Sequence, residues 1–417
     1  MLPKSNSIEI INGESRYKVS TPKHLDRAVQ EIKEGTARPK GLLKPELVRG
    51  YNNEMTVPMG LGCDGFIYGG SGAGRRQLVK SDNGFEAISP GANMADETGD
   101  SAFVVQSVNR TKAGYVVVGR REIDGVRRGS VWFSESFDGG FTEVLLADKT
   151  FAVHSISYYN QGSELEDIVI LGEYTIVSFT GEQPSPHKLY LSKDGGQNFE
   201  VVKETKVIDP RQDVNSHWHH SIYDPYTGRI FASNGDGENR DMYVSDDLGK
   251  TWKEMRTPEN EYGLTSLQQP TLLIPTSKKI LLGPDLNTPG ALLSLVRDEE
   301  YTQVHWQGSE NWKLNWEITV DETHAQVFFP QQPYGISGDE IYVLFPSSAG
   351  NTDKRFYVVA SGDGGNTWHK VYGLRLPNGS MNEGIVGPDN NGYLCAYVNT
   401  GTTTRIWRAK ELEWVYG

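Results

Sequence analysis

The stretch SDDLGKTW at residues 245–252 decides the fold, because close variants of it recur along the chain. A second clear copy is SGDGGNTW at 361–368, and SFDGGFT at 136–142 lacks only the Trp. SKDGGQNF at 192–199 replaces Thr with Asn and Trp with Phe, and SDNGF at 81–85 is a shortened first copy. A phrase that recurs at a regular spacing indicates a repeat architecture.

The spacing of these copies gives the size of the repeated unit. The aspartates at positions 82, 138, 194 and 247 are 56, 56 and 53 residues apart. Asp363 follows after 116 residues, about twice the unit, so we infer that one copy near 292–306 has lost its signature. Each unit also holds four short apolar runs rich in Val and aromatic residues, which is typical of strands. Four strands in a unit of ~50 residues is the period of a propeller blade.

The repeats therefore predict an all-β fold, a seven-bladed β-propeller spanning residues 51–417. Six blades is the alternative, if the last segment only completes the first blade. Residues 1–50 do not repeat and are predicted to form an N-terminal arm, with one short helix around 21–35 followed by an extended segment. The blades are expected to begin near Met55, Phe103, His154, His219, Thr271, Ala325 and Asn382.

Composition argues against a nucleic-acid partner, a membrane span and a disulfide framework. The formal net charge of −13 argues against binding to a phosphate backbone, so no nucleic-acid partner is expected. No apolar run approaches the ~18 residues of a membrane span, and two cysteines cannot form a disulfide framework. The chain opens without a hydrophobic signal segment, which leaves its location undetermined, with extracellular or virion-associated action still open.

The repeated phrase resembles the Asp-box (BNR repeat) of sialidases and of the wider group of Asp-box propellers, which includes glycoside hydrolases, sorting receptors and structural proteins. The resemblance covers roughly residues 51–417 and implies the fold more strongly than any activity. In the box, the Asp carboxylate and the hydroxyls are expected to accept hydrogen bonds from turn amides between the third and fourth strands. The box aspartates Asp138, Asp194, Asp247 and Asp363 are therefore predicted to be structural.

One departure from the sialidase pattern bears on activity. Sialidases open their first blade with Arg-Ile-Pro, and that arginine binds the substrate carboxylate. In this sequence the matching place is MTVPM at 55–59, so Thr56 stands where the arginine would be while Pro58 is kept. A bidentate arginine contact cannot be replaced by a threonine, so typical sialidase activity is not expected.

Candidate site residues come from the loops that precede each first strand and those that join the second and third strands. In a propeller these loops gather at one end of the central channel, and at least six of the seven blade starts carry a hydrogen-bonding side chain. Loop tips are generally polar, but this consistency favours a funnel for a polyhydroxylated ligand such as a sugar. The predicted catalytic residues are Glu54, Asp100, His219, Tyr223, Arg240 and Glu383. The predicted substrate-binding residues are Arg76, His154, His217, Trp218, Gln269 and His324.

The densest of these positions is NSHWHHSIYDP at 215–225. On a strand, His217 and His219 share a face, a spacing that is compatible with Zn or Mn if His154, His324 or Asp236 supplied further ligands. A general base or a sugar-binding subsite is the preferred interpretation, because the pKa of histidine suits base catalysis near neutrality. We predict no metal and no cofactor.

Two classes of function follow, both with a carbohydrate ligand. The first is a carbohydrate-active enzyme. As a glycoside hydrolase it would use two carboxyl groups among Glu54, Asp100 and Glu383, and as a polysaccharide lyase it would use His219 or Tyr223 as base. In the lyase, Arg240 would offset a uronate carboxylate. The alternative is a non-catalytic glycan- or protein-binding propeller, such as an adhesin or a phage receptor-binding component, with residues 1–50 as its mounting.

Overall fold

The computed structural model describes most of the chain between residues 37 and 416, together with a short hairpin near its start. Regular structure in this part is nearly all β, with one five-residue helix, Met94–Thr98, and one 3-10 turn, Ala73–Arg75. No helix among these residues is long and apolar enough to cross a bilayer. The described residues are 8–12, 15–19, 37–49, 56–159, 167–174, 185–205, 217–235, 242–255, 270–276, 279–284, 291–296, 314–319, 335–337, 340–345, 355–375, 382–399 and 404–416.

The strands form seven four-stranded antiparallel sheets, each made of neighbours in the chain except the last. Blade one is Val57–Leu61, Ile67–Ser71, Gln77–Ser81 and Ser89–Asn93; blade two is Val104–Arg110, Tyr115–Ile123, Val126–Ser134 and Thr142–Leu146. Blade three is Phe151–Tyr159, Ile168–Glu173, Lys188–Ser192 and Glu200–Glu204; blade four is His217–Asp224, Arg229–Gly235, Met242–Ser245 and Lys253–Met255. Blade five is Pro270–Pro275, Lys279–Pro284, Ala291–Val296 and Leu314–Thr319; blade six is Gly335–Ser337, Glu340–Phe345, Arg355–Ser361 and His369–Arg375. Blade seven is Asn382–Val386, Tyr393–Asn399, Thr404–Lys410 and Glu46–Arg49. Two further pairs are Ile8–Asn12 with Ser15–Val19, and Ala37–Pro39 with Trp414–Tyr416.

The prediction of seven blades is confirmed, and the six-bladed alternative is excluded because the last segment has its own sheet. Six of the seven predicted starts lie within three residues of the observed first strands. The exception is blade six. Its predicted first strand near Ala325 lies outside the described residues, and the strand at that position of the sheet is Gly335–Ser337. The cores lie between blades, where buried Val, Ile, Leu and aromatic side chains of adjacent sheets pack together.

The ring closes with a strand from the N-terminal segment. Glu46–Arg49 pairs with Thr404–Lys410 and supplies the outer strand of blade seven, so the predicted domain boundary at residue 50 cuts through this blade. Arg408 lies over this seam: its guanidinium donates to Glu46 Oε2 at 3.2 Å, to the Asn83 carbonyl at 3.0 Å and to Glu86 of blade one. The helix predicted around residues 21–35 lies outside the described residues.

The repeated phrase forms the turn between the third and fourth strands, as predicted. In blade four, Thr251 donates its amide and its hydroxyl to the Asp247 carboxylate at 2.8 and 2.7 Å, and these bonds lower the pKa of Asp247 to about 2. The Ser245 hydroxyl donates to Asp247 Oδ1 at 2.9 Å and accepts the amide of Gly249 at 2.8 Å. Gly249 has a φ of +85°, where a side chain would be strained. Trp252 then donates its indole N–H to the Val202 carbonyl of blade three at 2.9 Å.

In two copies of this turn, the residues that make the contacts differ from those expected from the repeated phrase. In blade one, Asn83 rather than Asp82 takes the aspartate role, accepting from the Ser81 hydroxyl at 2.9 Å and from the Ala87 amide at 3.0 Å. In blade two, the serine of the turn is Ser134, which donates to the Gly139 carbonyl at 2.7 Å and accepts the Ser136 amide at 3.0 Å. Asp138 is exposed and lies beyond these contacts. It therefore does not have the structural role predicted for it.

This difference makes Asp363 and Asp138 a matched test. The Asp363 carboxylate accepts from Ser361, Asn366 and Thr367, and also from the Ala37 amide at 3.3 Å. Asp363→Ala should lower the free energy of unfolding by about 1–3 kcal/mol, because these turn donors lose their acceptor. Asp138→Ala should change it by less than ~0.5 kcal/mol. Urea denaturation followed by tryptophan fluorescence checks both, and equal losses would contradict the assignment.

Candidate functional site

The twelve predicted site residues differ in how far the structure describes them. Described side chains are those of Asp100, Arg76, His217, Trp218, His219 and Tyr223. His154 and Glu383 lie in the first strands Phe151–Tyr159 and Asn382–Val386, but their side chains are outside the described part. Glu54, Arg240, Gln269 and His324 also lie outside it, and so does Asp236, the further metal donor considered above.

Two clusters of polar side chains lie at the predicted face, where the first strands begin. We call the first the histidine cluster; it lies between blades three and four and consists of Lys149, Tyr174, His187, His217 and His219. The Nε2 atoms of His217 and His219 are 3.2 Å apart, as the shared strand face predicted. The Tyr174 ring centroid is 3.8 Å from that of His217 and 6.3 Å from that of His219. Tyr174 is half-buried, whereas the two imidazoles are 0% and 1% exposed.

The histidine pair is held by a backbone irregularity and by a close glycine. The register of the first two strands of blade four shifts between Trp218 and Ser221, which is the position of a β-bulge and re-aims the side chains next to it. The His219 ring lies against Gly235, where a Cβ would be 2.1 Å from its Cε1 atom. At 3.2 Å, one Nε2 donates its proton and the other accepts it, so the two rings are joined by an N–H···N hydrogen bond.

Lys149 and Glu173 fix the rest of this cluster. The Lys149 ammonium donates to the Ser185 carbonyl at 2.6 Å and contacts the His187 ring at 3.3 Å. Glu173 accepts the amides of Lys149 and Lys188 at 3.2 and 2.7 Å, and the hydroxyl of Tyr190 at 3.1 Å. Burial raises the pKa of Glu173, although these hydrogen bonds oppose the shift. The carboxylate thus anchors the segment that leads into blade three.

The neighbouring residues of the same strand serve other purposes. Trp218 is 0% exposed, donates its indole N–H to the His187 carbonyl at 2.9 Å and packs in the core between blades three and four. Tyr223 is in the same core, four residues beyond His219, or about 13 Å along the strand at ~3.3 Å per residue. The structure therefore does not bring Tyr223 to His219 and leaves no surface of Trp218 for a sugar. His220 Nδ1 accepts the Leu273 amide of blade five at 2.7 Å.

The second cluster, which we call the arginine cluster, lies at blades one and two and consists of Arg75, Arg120 and Arg127. Arg75 ends the 3-10 turn of blade one, with a φ of +57°. Arg120 pairs with Val104 in the first strand of its own blade. The carbonyl of Phe103, the residue before Val104, lies against Gly74, the residue before Arg75, so the two blades meet here. Arg127 is two residues from Gly129, the partner of Arg120, so Arg120 and Arg127 share one face of the sheet.

Two predicted residues lie beside the arginine cluster. Arg76 donates to the Ala73 carbonyl at 2.7 Å and to the Ser101 carbonyl, next to Asp100 in the chain. Asp100 Oδ1 accepts the Ala102 amide at 2.7 Å, and its Oδ2 is covered with no hydrogen-bond partner in the described part of the chain. Thr56, at the position of the sialidase arginine, is buried and its hydroxyl is 2.9 Å from Ser71 Oγ.

The two clusters occupy adjacent parts of one face. Gly129, which pairs with Arg120, donates its amide to the Lys149 carbonyl at 2.9 Å, so a single backbone contact joins them. In the part of the chain that is described, no three His, Cys, Asp or Glu side chains are arranged to hold a metal ion.

Several residues of these clusters were missed from sequence. Tyr174, His187 and Glu173 lie at the two ends of the strand two–three connection of blade three, which the same loop rule would have covered. Arg120 was missed because the rule considers loops, whereas Arg120 lies within the second strand of blade two, which continues to Ile123. Arg75 and Arg127 lie in loops that the rule covers and belong to the polar set that it identifies, although neither was chosen as a catalytic or substrate-binding residue.

The fold places the chain among the seven-bladed β-propellers. No family model matches the sequence, and no curated protein matches it. Among solved structures, a GH74 enzyme of Niastella koreensis is similar with a TM-score of 0.51 and 13% identity, over 89% of this chain and 55% of that one. An ancestral GH74 enzyme gives 0.51 and 12%, over 91% and 46%. YCF48 from Cyanidioschyzon merolae gives 0.48 and 12%, over 89% and 99%. This chain spans about half the length of the two GH74 enzymes, and at these identities the likeness shows the fold alone.

Proposed function

We propose that the protein is a carbohydrate-active propeller of the Asp-box type that binds a glycan on the face holding the histidine and arginine clusters, and cleaves it as a hydrolase or lyase. The observation that carries this proposal is the half-buried Tyr174 ring lying on the buried His217–His219 pair. An aromatic ring at a polar, partly exposed surface offers a flat apolar contact for a sugar ring, with hydrogen-bonding groups around it. An imidazole beneath it is the side chain that most often serves as general base near neutral pH.

The arrangement of the two clusters favours a lyase over a hydrolase. A two-carboxylate hydrolase needs two carboxyl groups within about 10 Å across the sugar. The side chains of Glu54 and Glu383, the other two predicted acids, are outside the described part of the chain, so the preference for a lyase comes from the histidine and arginine clusters alone. A lyase instead removes the C5 proton of a uronate to a histidine nitrogen. The C5–H electron pair then forms the C4=C5 bond, and the C4–O bond breaks as the leaving oxygen takes a proton. Because both imidazoles are buried, this step requires the Tyr174 ring to swing aside.

His219→Ala tests the proposal. We expect it to abolish product from any polysaccharide that the wild type cleaves, while glycan affinity falls less than tenfold, because the base is lost and the buried His219 ring offers almost no surface to a bound glycan. A panel of polysaccharides is assayed both for reducing ends and for the ultraviolet absorbance of unsaturated uronates. The absorbance appears for a lyase, and reducing ends alone appear for a hydrolase.

Two controls keep this test decisive. His219→Gln guards against misfolding of the alanine variant, with circular dichroism as the check. His369→Gln alters a histidine at the opposite end of the propeller, where it contacts the Ala37 carbonyl, and should leave product formation unchanged. No product with any polysaccharide, while a glycan array still shows binding, would contradict cleavage and leave a binding propeller such as an adhesin or a phage receptor-binding component.

A further inference from the structure

The arginine cluster brings three positively charged side chains together at blades one and two. Among the described residues, no carboxylate forms an ion pair with Arg75, Arg120 or Arg127, whereas Arg121 on the opposite face of the same strand pairs with Glu143 at 3.2 Å. Glu122 lies opposite Arg127 in the strand register, but it is exposed near the tip of the hairpin, and no ion pair of it is seen within the described ranges. The chain as a whole carries a net charge of −13, so this local excess of positive charge is opposite in sign to the net charge of the protein.

The environment of these arginines makes the arrangement costly without a ligand. Arg75 and Arg120 are half-buried. Burial lowers the pKa of Arg75, and burial together with the nearby charges of Arg127 and Arg75 lowers the pKa of Arg120. Positive groups that are partly desolvated and repel one another are stabilised when an anion enters between them.

The backbone holds the attachment points of two of these arginine side chains in fixed positions. Arg75 is fixed by a 3-10 turn with left-handed backbone and by contact of its own carbonyl with Gly70. Arg120 is fixed in the centre of a paired strand, between Val104 and Gly129. A planar guanidinium fork matches two oxygens of a carboxylate or a sulfate ester, and a rigid backbone beneath the side chain lowers the entropy lost on binding.

We propose that Arg75, Arg120 and Arg127 form a subsite for the anionic group of an acidic glycan, a uronate carboxylate or a sulfate ester. This inference rests on the proposed function, since it names the substrate class of that face. It uses positions different from that of Thr56, where the sialidase-type arginine is absent. The contact from Gly129 to Lys149 places the subsite beside the histidine cluster, so one glycan chain can reach both.

Binding of matched charged and neutral polymers tests the subsite. Calorimetry is done with full-length protein and four probes: oligogalacturonate, its methyl ester, dextran sulfate and dextran. We expect at least one anionic probe to bind about tenfold or more tighter than its neutral counterpart. Arg75→Gln and Arg120→Gln should each remove about tenfold of that affinity, leaving the neutral probe unaffected, and the preference should weaken at high salt. Oligogalacturonate identifies a carboxylate source, and dextran sulfate a sulfate source.

Matched variants decide the outcome. Arg38→Gln removes the same charge from an exposed position of the strand that pairs with Trp414–Tyr416, at the other end of the propeller, and should bind as wild type. Arg127→Gln, at an exposed site, guards against misfolding of the other two. The proposal is overturned if neutral and anionic probes bind alike, if neither anionic probe binds, or if the arginine variants bind as Arg38→Gln does. Charge-dependent binding without product would support the anion subsite and contradict the proposed cleavage. Cleavage of neutral glycans alone would support the proposed cleavage and contradict the anion subsite.

Discussion

A chain that begins at residue 50 is expected to unfold without cooperativity or to aggregate, whereas a chain that begins at Ala37 should unfold as the full protein does. The shorter chain lacks Glu46–Arg49, which leaves Thr404–Lys410 as an unpaired edge strand. It also lacks Leu43 and Val48, which pack in the cores of blades six, seven and one, at a cost of about 1.5–3 kcal/mol each. Urea denaturation and size-exclusion chromatography of the two truncated chains measure the difference.

Paired point substitutions separate the closing strand from the general effect of truncation. Val48 packs against the core, while Leu47 next to it is 55% exposed. Val48→Asp should therefore lower the free energy of unfolding by about 2–4 kcal/mol, and Leu47→Asp should have little effect. Equal stability of the two truncated chains, or equal losses from the two point substitutions, would show that this strand does not close the ring.

The features that could be predicted from sequence are those that depend on neighbours in the chain. The turn of Ser245, Asp247 and Gly249 closes within five residues, so its pattern reveals the turn, the strands on both sides and the number of blades. The closing strand could not be found this way. It has no repeated signature, and its partner Arg408 is 362 residues from Glu46. Pairing over such a distance follows from closure of the ring rather than from any local pattern.

The same limit applies inside the repeats. Asp138 has the expected spacing, but the third strand of blade two ends at Ser134, so the turn is built two residues earlier than the alignment placed it. His217 and His219 were correctly placed side by side, because alternation along a strand is local. Tyr223 was grouped with them because the sequence does not show that one uninterrupted strand carries it to the far end of the blade.

The third histidine of this stretch, His220, should make the fold sensitive to acid. It is 1% exposed, and burial, with a smaller contribution from His219, lowers the pKa of His220 to about 3. Its Nδ1 accepts the Leu273 amide at 2.7 Å, so the folded protein requires the neutral ring. The unfolded chain has the ordinary pKa of about 6.5 and takes up a proton below it. The stability due to the neutral ring is therefore complete above pH 6.5 and is lost as the pH falls from 6.5 towards 3.

His220→Asn isolates this contribution, because the amide oxygen of asparagine can accept the Leu273 amide and does not titrate. Each pH unit below 6.5 should cost the wild type about 1.4 kcal/mol more than the variant, or about 2 kcal/mol at pH 5. Urea denaturation of both proteins at pH 5, 6 and 7.5 measures the difference. Other buried histidines affect both proteins equally, so the difference between the two curves belongs to His220. A difference that does not change with pH would mean that the His220 ring takes up a proton as readily in the folded as in the unfolded protein, so that the contact between blades four and five does not require a neutral imidazole.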